Sequence, residues 1–257
     1  MQRALGILEL LAAHPNGLNA KQVALKMQLN LSTCYHLLNT LEHEGYAVKD
    51  PDTLLFQLSG KLGFSVLGRV SPAQLVQQLT PHVQMLQEMS RETSYLSVWD
   101  GQEITLSAIV EAPQTVRVKS LTIGETEANH ASALGKAILA WFDDDAFNRY
   151  FARRPLPAFT ANTITSPANL RAGLKLVRQQ GHALDCEEFM PDVHCIGAPI
   201  FDAQGGITAS IAVSLPVSRA GGNRPRLIEQ VMHVAAVASR ALQILGYAGP
   251  ASRPEAE

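Results

Sequence analysis

The sequence predicts an α+β chain in two parts: an N-terminal winged helix-turn-helix and a larger C-terminal domain built on a central antiparallel sheet. Three observations carry this reading. Three short amphipathic helices fit between residues 4 and 45, two strand-like runs flank a Pro51-Asp52 turn directly after them, and strands and helices mix from residue 94 onward. A chain of 257 residues, 46% hydrophobic and 17% charged, buries one large or two smaller cores. Its 21 Lys and Arg against 23 Asp and Glu give a formal charge of −2, so any nucleic-acid binding has to come from local placement of charge.

In the first helix Ala4, Ile7, Leu8 and Leu11 recur at helical spacing until Pro15-Asn16-Gly17 stops it. Asn19 stands where a cap is wanted, with Gln22 three residues on as in a capping box, and Ala20, Val23, Ala24 and Met27 form one apolar face. After Gln28-Leu29-Asn30, a third helix carries Cys34, Leu37, Leu38 and Leu41, and Glu44-Gly45 closes it with a glycine suited to a left-handed cap. The runs Tyr46–Asp50 and Leu54–Leu58 then make a hairpin, the wing. The second helix of a helix-turn-helix lies in the major groove, so the face opposite its apolar stripe meets DNA. Here that face holds Ser32, Thr33, Tyr35, His36 and Asn39. Short hydroxyls suit phosphate oxygens, and Asn reads an adenine edge. Residues 1–64 hold five basic and five acidic side chains, so one copy binds weakly and two copies on one site are expected.

From about Ser71 a helix runs through Leu75, Leu79, Val83, Leu86 and Met89, broken or begun afresh near Pro81. Strands are expected at 94–99, 103–110 and 115–119, with Asp100-Gly101 as a two-residue hairpin turn between the first two. Helices at about 132–141, 143–151 and 167–180 precede strands near 182–186, 194–201 and 207–215, and a long helix over 224–245 ends the fold. The domain boundaries expected are 1–64 for the winged helix-turn-helix, 65–80 for a helical linker, 81–250 for the larger domain and 251–257 for a disordered tail.

The order of Ala4-Leu5-Gly6-Ile7-Leu8-Glu9-Leu10-Leu11 and Ser32-Thr33-Cys34-Tyr35-His36-Leu37-Leu38 resembles the IclR family of bacterial regulators. The match continues through His130-Ala131-Ser132-Ala133-Leu134-Gly135-Lys136-Ala137 and through the segment from Gly181 to Asp202 containing Asp185, Glu187, Glu188 and Cys195-Ile196-Gly197-Ala198-Pro199. The resemblance implies a GAF-like effector domain. It also implies a small-molecule effector contacted by Asp185, Cys195 and Ser214, while Ala133 and Leu134 open a helix whose free N–H groups favour a carboxylate. The family usually has a basic residue at Leu31, Arg at His36 and Gly at Asp192, and some members have a hydroxyl at Ala212. Asp is among the better non-glycine residues where a left-handed backbone is required.

The competing class is a cysteine-dependent or metal-dependent hydrolase built on Cys195, His194, Asp185, Glu187, Glu188, His130 and His182. Adjacent residues of a strand point to opposite faces, so His194 cannot serve Cys195 as a base. No His-x-x-x-His pair, Gly-x-Ser-x-Gly elbow or complete phosphate loop is present. The expectation is a regulator and not an enzyme, without cofactor or metal, bound to double-stranded operator DNA as a homodimer or tetramer. Its effector is a small organic acid, and its target is a catabolic operon. Three cysteines without a Cys-x-x-Cys pair and no apolar run near the ~18 residues of a membrane span lead to an expectation of a cytoplasmic, membrane-free protein.

Overall fold

The computed structural model describes residues 2–14, 17–50, 53–59, 72–112, 122–152 and 154–250. Packing divides the chain into two compact units, residues 1–70 with 244–247 and residues 71–243 with 248–257. The expected strand at 115–119, the Pro15-Asn16 and Pro51-Asp52 stops, linker residues 65–71 and the tail at 251–257 lie outside the described residues.

The first unit holds helices α1 (Gln2–Ala12), α2 (Ala20–Met27) and α3 (Leu31–His43) and strands β1 (Ala47–Lys49) and β2 (Phe56–Leu58). The capping box at α2 is formed: Asn19 Oδ1 accepts from the Gln22 amide at 2.9 Å while Gln22 Oε1 accepts from the Asn19 amide at 2.8 Å. Asn30 caps α3 in the same way by accepting from the Thr33 amide. Gly45 closes α3 with φ +74°. Ile7, Leu11, Val23, Cys34, Leu38 and Phe56 meet in one core, and each large side chain removed from water there contributes roughly 1.5–3 kcal/mol. The wing is antiparallel, with Ala47 opposite Leu58 and Lys49 opposite Phe56. Leu18 adds a third rung, exchanging two backbone hydrogen bonds with Phe56 at 2.9 and 2.8 Å, so the α1–α2 connection is tied to the wing.

The second unit runs α4 (Pro72–Ser90), β3 (Thr93–Trp99), β4 (Ile104–Val110), α5 (Ala133–Leu139), α6 (Asp144–Phe151), α7 (Pro167–Gln180), β5 (Ala183–Cys186), β6 (Val193–Phe201), β7 (Ile207–Pro216) and α8 (Val217–Ile244). Among the described residues its five strands stand in the order β4-β3-β7-β6-β5, all antiparallel. Nine of the ten residues of β7 are buried, as befits a central strand covered on both faces.

Three expectations require correction. Helix α4 is not interrupted at Pro81; it continues from Pro72 to Ser90. Leu75, Leu79, Val83 and Leu86 are all buried on one side of it, and that stripe outweighs the one backbone bond Pro81 removes. The β3–β4 loop is longer than a two-residue turn, because Trp99 pairs with Ile104 and the Asp100 carboxylate accepts from the amides of both Gln102 and Glu103. Helix α8 begins at Val217, seven residues earlier than expected. Pro225 reads in the sequence as a first-turn residue. Instead the preceding turns are held by tertiary contacts, with Arg219 on Glu92 at 2.8 Å and Ala220 buried.

Candidate DNA-binding face and ligand site

On α3 the periodicity separates the two faces cleanly. Cys34, Leu38 and Leu41 are buried, while Ser32, Tyr35, His36 and Asn39 are exposed and Thr33 is half-buried. All five residues singled out in the sequence therefore lie off the core-facing stripe of one helix, with Ser32 and Thr33 in its first turn. The Thr33 amide is occupied by the Asn30 cap, so the hydroxyls rather than that amide are the groups of this turn turned outward. Sequence reasoning missed the apolar exposure of Leu31 at the start of α3 and of Leu25 (81% exposed) on α2. An apolar residue at an exposed periodic position was the available signal.

In the second unit the antiparallel register assembles a polar row across four strands. Asp185 on β5 is paired with Cys195 on β6, Cys195 with Ser214 on β7, and Ser214 with Thr93 on β3. Directly paired residues share a face. Helix α5 covers that same face, since Ser210 donates to the Leu134 carbonyl at 2.9 Å and a Cβ on Gly197 would stand 2.7 Å from the Ala133 carbonyl oxygen. The register thus brings Asp185, Cys195 and Ser214 to the side of the sheet on which Ala133 and Leu134 begin a helix. Gly135 is required at the next position, where a Cβ would lie 2.1 Å from the Asn129 carbonyl oxygen. Its amide is not free for a ligand, because Ser132 caps it at 3.0 Å; the Ala133 and Leu134 amides precede the capped one.

Asp185 also shapes the chain. Its Oδ1 accepts from the amides of Glu188 and Phe189 at 2.8 and 3.3 Å, closing the turn after β5. Burial pushes its carboxyl up to about 6, opposed by the Lys136 ammonium and by the two amides. The half-buried Cys195 thiol is pushed up by loss of solvent, by the Asp185 charge and by its hydrogen bond to Asp185, and so stays protonated as a donor to that carboxylate. Lys136 on α5 reaches Glu188 at 2.5 Å in a nearly buried pair, and Glu188 Oε2 has no hydrogen-bond partner among the described residues. Glu187 and Asp192, both with φ +61°, bracket the loop that brings Glu188 and Phe189 over this side. Asp192 therefore adopts the left-handed backbone at the position where the resemblance gives a glycine. The loop is pinned by Thr163, whose hydroxyl donates to the Glu188 carbonyl.

The residues missed here are Thr93, Tyr95 and Lys136; Glu188 enters the sequence reading only through the competing hydrolase class and the family-like segment. Tyr95 lies within 3.0 Å of the Ser214 hydroxyl, and Thr93 accepts from the Ala112 amide. A strand over these residues was legible in the sequence, but not which strand it pairs with. His194 stands on the other face of β6, where its Nδ1 meets Arg224 at 2.8 Å, away from Cys195. Among the described residues there is no cluster of His, Cys, Asp and Glu arranged for a metal ion, and no helix is long and apolar enough to cross a membrane.

A winged helix-turn-helix with a polar recognition face, followed by a separate domain with a polar row beside a helix start, defines the class of ligand-responsive DNA-binding regulators. Two family models match: the IclR helix-turn-helix domain over residues 1–51 and the bacterial transcriptional regulator IclR C-terminal domain over residues 68–240. The chain belongs to the IclR family of transcriptional regulators. It is 33% identical over 219 residues to the HTH-type transcriptional regulator BhcR of Paracoccus denitrificans, covering 85% of this chain and 78% of that one. To the HTH-type transcriptional regulator XynR of Escherichia coli it is 29% identical over 249 residues, covering 94% and 96%. The crystal structure of Thermotoga maritima IclR is similar with a TM-score of 0.60 at 26% identity, covering 96% and 98%. The family and these relatives are regulators of transcription, not enzymes, so the hydrolase reading of the Cys195 region is set aside.

Proposed function

We propose that this regulator binds a roughly palindromic operator as a homodimer or tetramer through Ser32, Thr33, Tyr35, His36 and Asn39 of each copy. We further propose that a small carboxylate-bearing metabolite, held by Ala133, Leu134, Asp185, Cys195 and Ser214, controls that binding. The observation that carries the second part is the register Asp185–Cys195–Ser214 on the sheet face beside the start of α5. Amides at the helix start take the carboxylate, and Asp185, neutral over much of the acid range, tolerates an acid beside it. Ala212 removes a hydroxyl and Leu134 adds hydrocarbon, which favours an aromatic or longer aliphatic acid over the smallest oxo-acids. A metabolite effector fits control of a catabolic operon in a cytoplasmic setting.

Two experiments test this. In mobility shifts with genomic fragments, Ser32→Ala with Thr33→Ala should weaken binding to many sequences alike, whereas Asn39→Ala should relax preference at particular bases. Absence of any specific site for the wild type, with and without acids, defeats the operator reading. In a thermal-shift screen an organic acid should stabilise the protein by binding its folded state. Ser214→Ala should shrink that shift, while Cys34→Ala, in the core of the other unit, should leave it intact. Stabilisation by amines or sugars but by no acid rules out the carboxylate model. A response unchanged in both Ser214→Ala and Asp185→Asn moves the site elsewhere.

A further inference from the structure

We infer that Tyr95 is a specificity-determining residue of the acid site: its phenol fixes the Ser214 hydroxyl as a donor toward an acceptor oxygen of the bound acid, and its ring sets how much hydrocarbon that acid carries. The inference rests on the acid-site reading above and extends it to a residue outside that reading. Tyr95 is 3% exposed, is paired with Ala212 in the β3–β7 register, and so shares the site's face of the sheet. Its hydroxyl lies 3.0 Å from Ser214 Oγ, one rung along.

Two hydroxyls at that distance share one hydrogen, and chemistry decides whose. A phenol is far more acidic than an aliphatic alcohol, so Tyr95 donates and Ser214 accepts. The hydrogen of Ser214 is then turned toward a second acceptor. On the neighbouring strand the Cys195 thiol is committed as a donor to Asp185. The row therefore sends one hydrogen inward to Asp185 and one outward from Ser214. A ligand that brings an ammonium or another donor to Ser214 meets a hydrogen. An oxo or carboxylate oxygen meets its complement.

The ring acts through volume. Tyr95, Leu106, Leu134 and Ala212 form one buried apolar cluster, with Ile109 and Phe189 packed against it. Ala212 leaves only a methyl group opposite the ring, so the side chain at position 95 occupies the apolar space next to Ser214 and limits what a ligand tail can fill.

Isothermal titration of the full-length protein with pyruvate, succinate and phenylpyruvate tests this, using wild type, Tyr95→Phe, Ser214→Ala, the double variant and Tyr95→Leu. Tyr95→Phe, which loses a single oxygen, should weaken the probe that binds best by about tenfold, and Ser214→Ala by a similar factor. The double variant should lose little beyond either single one, because both remove the same directed hydrogen. Tyr95→Leu should raise the affinity ratio of phenylpyruvate to pyruvate by about tenfold. Unchanged binding in Tyr95→Phe, or losses that multiply to about a hundredfold in the double variant, overturn the inference and leave the acid site standing. Binding of no probe by the wild type overturns the acid-site reading itself. Tyr95→Phe keeps the ring, so should Tyr95→Leu fail to fold, the cycle with Ser214→Ala decides.

Discussion

Asp185 joins three roles in one side chain: it caps the turn after β5, it accepts from Cys195, and it stands in the proposed ligand row. Its protonation carries a measurable consequence. A carboxyl that keeps its proton up to about pH 6 when folded, against an ordinary value of 3.8, makes the native state bind more protons than the unfolded chain across that window. Stability from this group is therefore fully present below about pH 4 and is lost as pH rises to about 6, an effect on the order of 3 kcal/mol. Asp185→Asn keeps the acceptor oxygen for the Glu188 and Phe189 amides but cannot ionise. The unfolding free energy of the variant, measured from pH 4 to 7, should rise against that of the wild type by roughly this amount. His130 and His194, both held low by burial, work in the opposite direction and cancel in the comparison. Parallel curves for the two proteins would show that Asp185 ionises normally.

Helix α3 depends on Asn30, and α2 on Asn19, because the first amides of a helix have no partner within it. Asn30→Ala should cost about 1 kcal/mol in the unfolding transition of the first unit, followed by denaturation of the full chain, and Asn19→Ala about the same. A transition that does not move would mean that water replaces the cap without loss. Helix α5 poses a harsher constraint. Its first turn sits against the Asn129 backbone, and the Asn129 side-chain nitrogen is anchored within hydrogen-bonding distance of the Ile104 carbonyl, the Thr126 carbonyl and the Tyr150 hydroxyl, among which its two hydrogens are shared. The obstacle to a methyl group at Gly135 is therefore fixed backbone. Gly135→Ala should destabilise the second unit by about 3 kcal/mol and abolish acid-induced stabilisation. A variant with wild-type melting and ligand response would place the Asn129 loop elsewhere.

At the scale of the molecule, the neutral balance of residues 1–64 limits the phosphate contribution to operator binding. The slope of log affinity against log salt should correspond to about two to four released counterions per domain, and His36→Arg should steepen it by about one for each half-site. Filter binding between low and moderate salt measures both. A wild-type slope typical of heavily basic binders would mean that the five acidic side chains of residues 1–64 all face away from DNA. With two copies on one operator, the linked second domain acts at high effective concentration, which offsets the weakness of each.

The sequence alone determined the elements whose signals are local. The helical stripe of Cys34, Leu38 and Leu41, the Asn19–Gln22 box and the Gly45 stop all follow from neighbours within a few residues. It also marked Asp185, Cys195 and Ser214, through family resemblance rather than through any pattern of their own. Only the tertiary structure decided what long-range pairing decides. Tyr95 meets Ser214 across 119 residues and Lys136 meets Glu188 across 52, and no periodicity encodes such a register. The same holds where local signals misled. Pro81 reads as a break and the last helix is expected only from Arg224, yet Pro81 and Pro225 both lie inside helices, because buried stripes and ion pairs distant in sequence outweigh one missing backbone hydrogen bond.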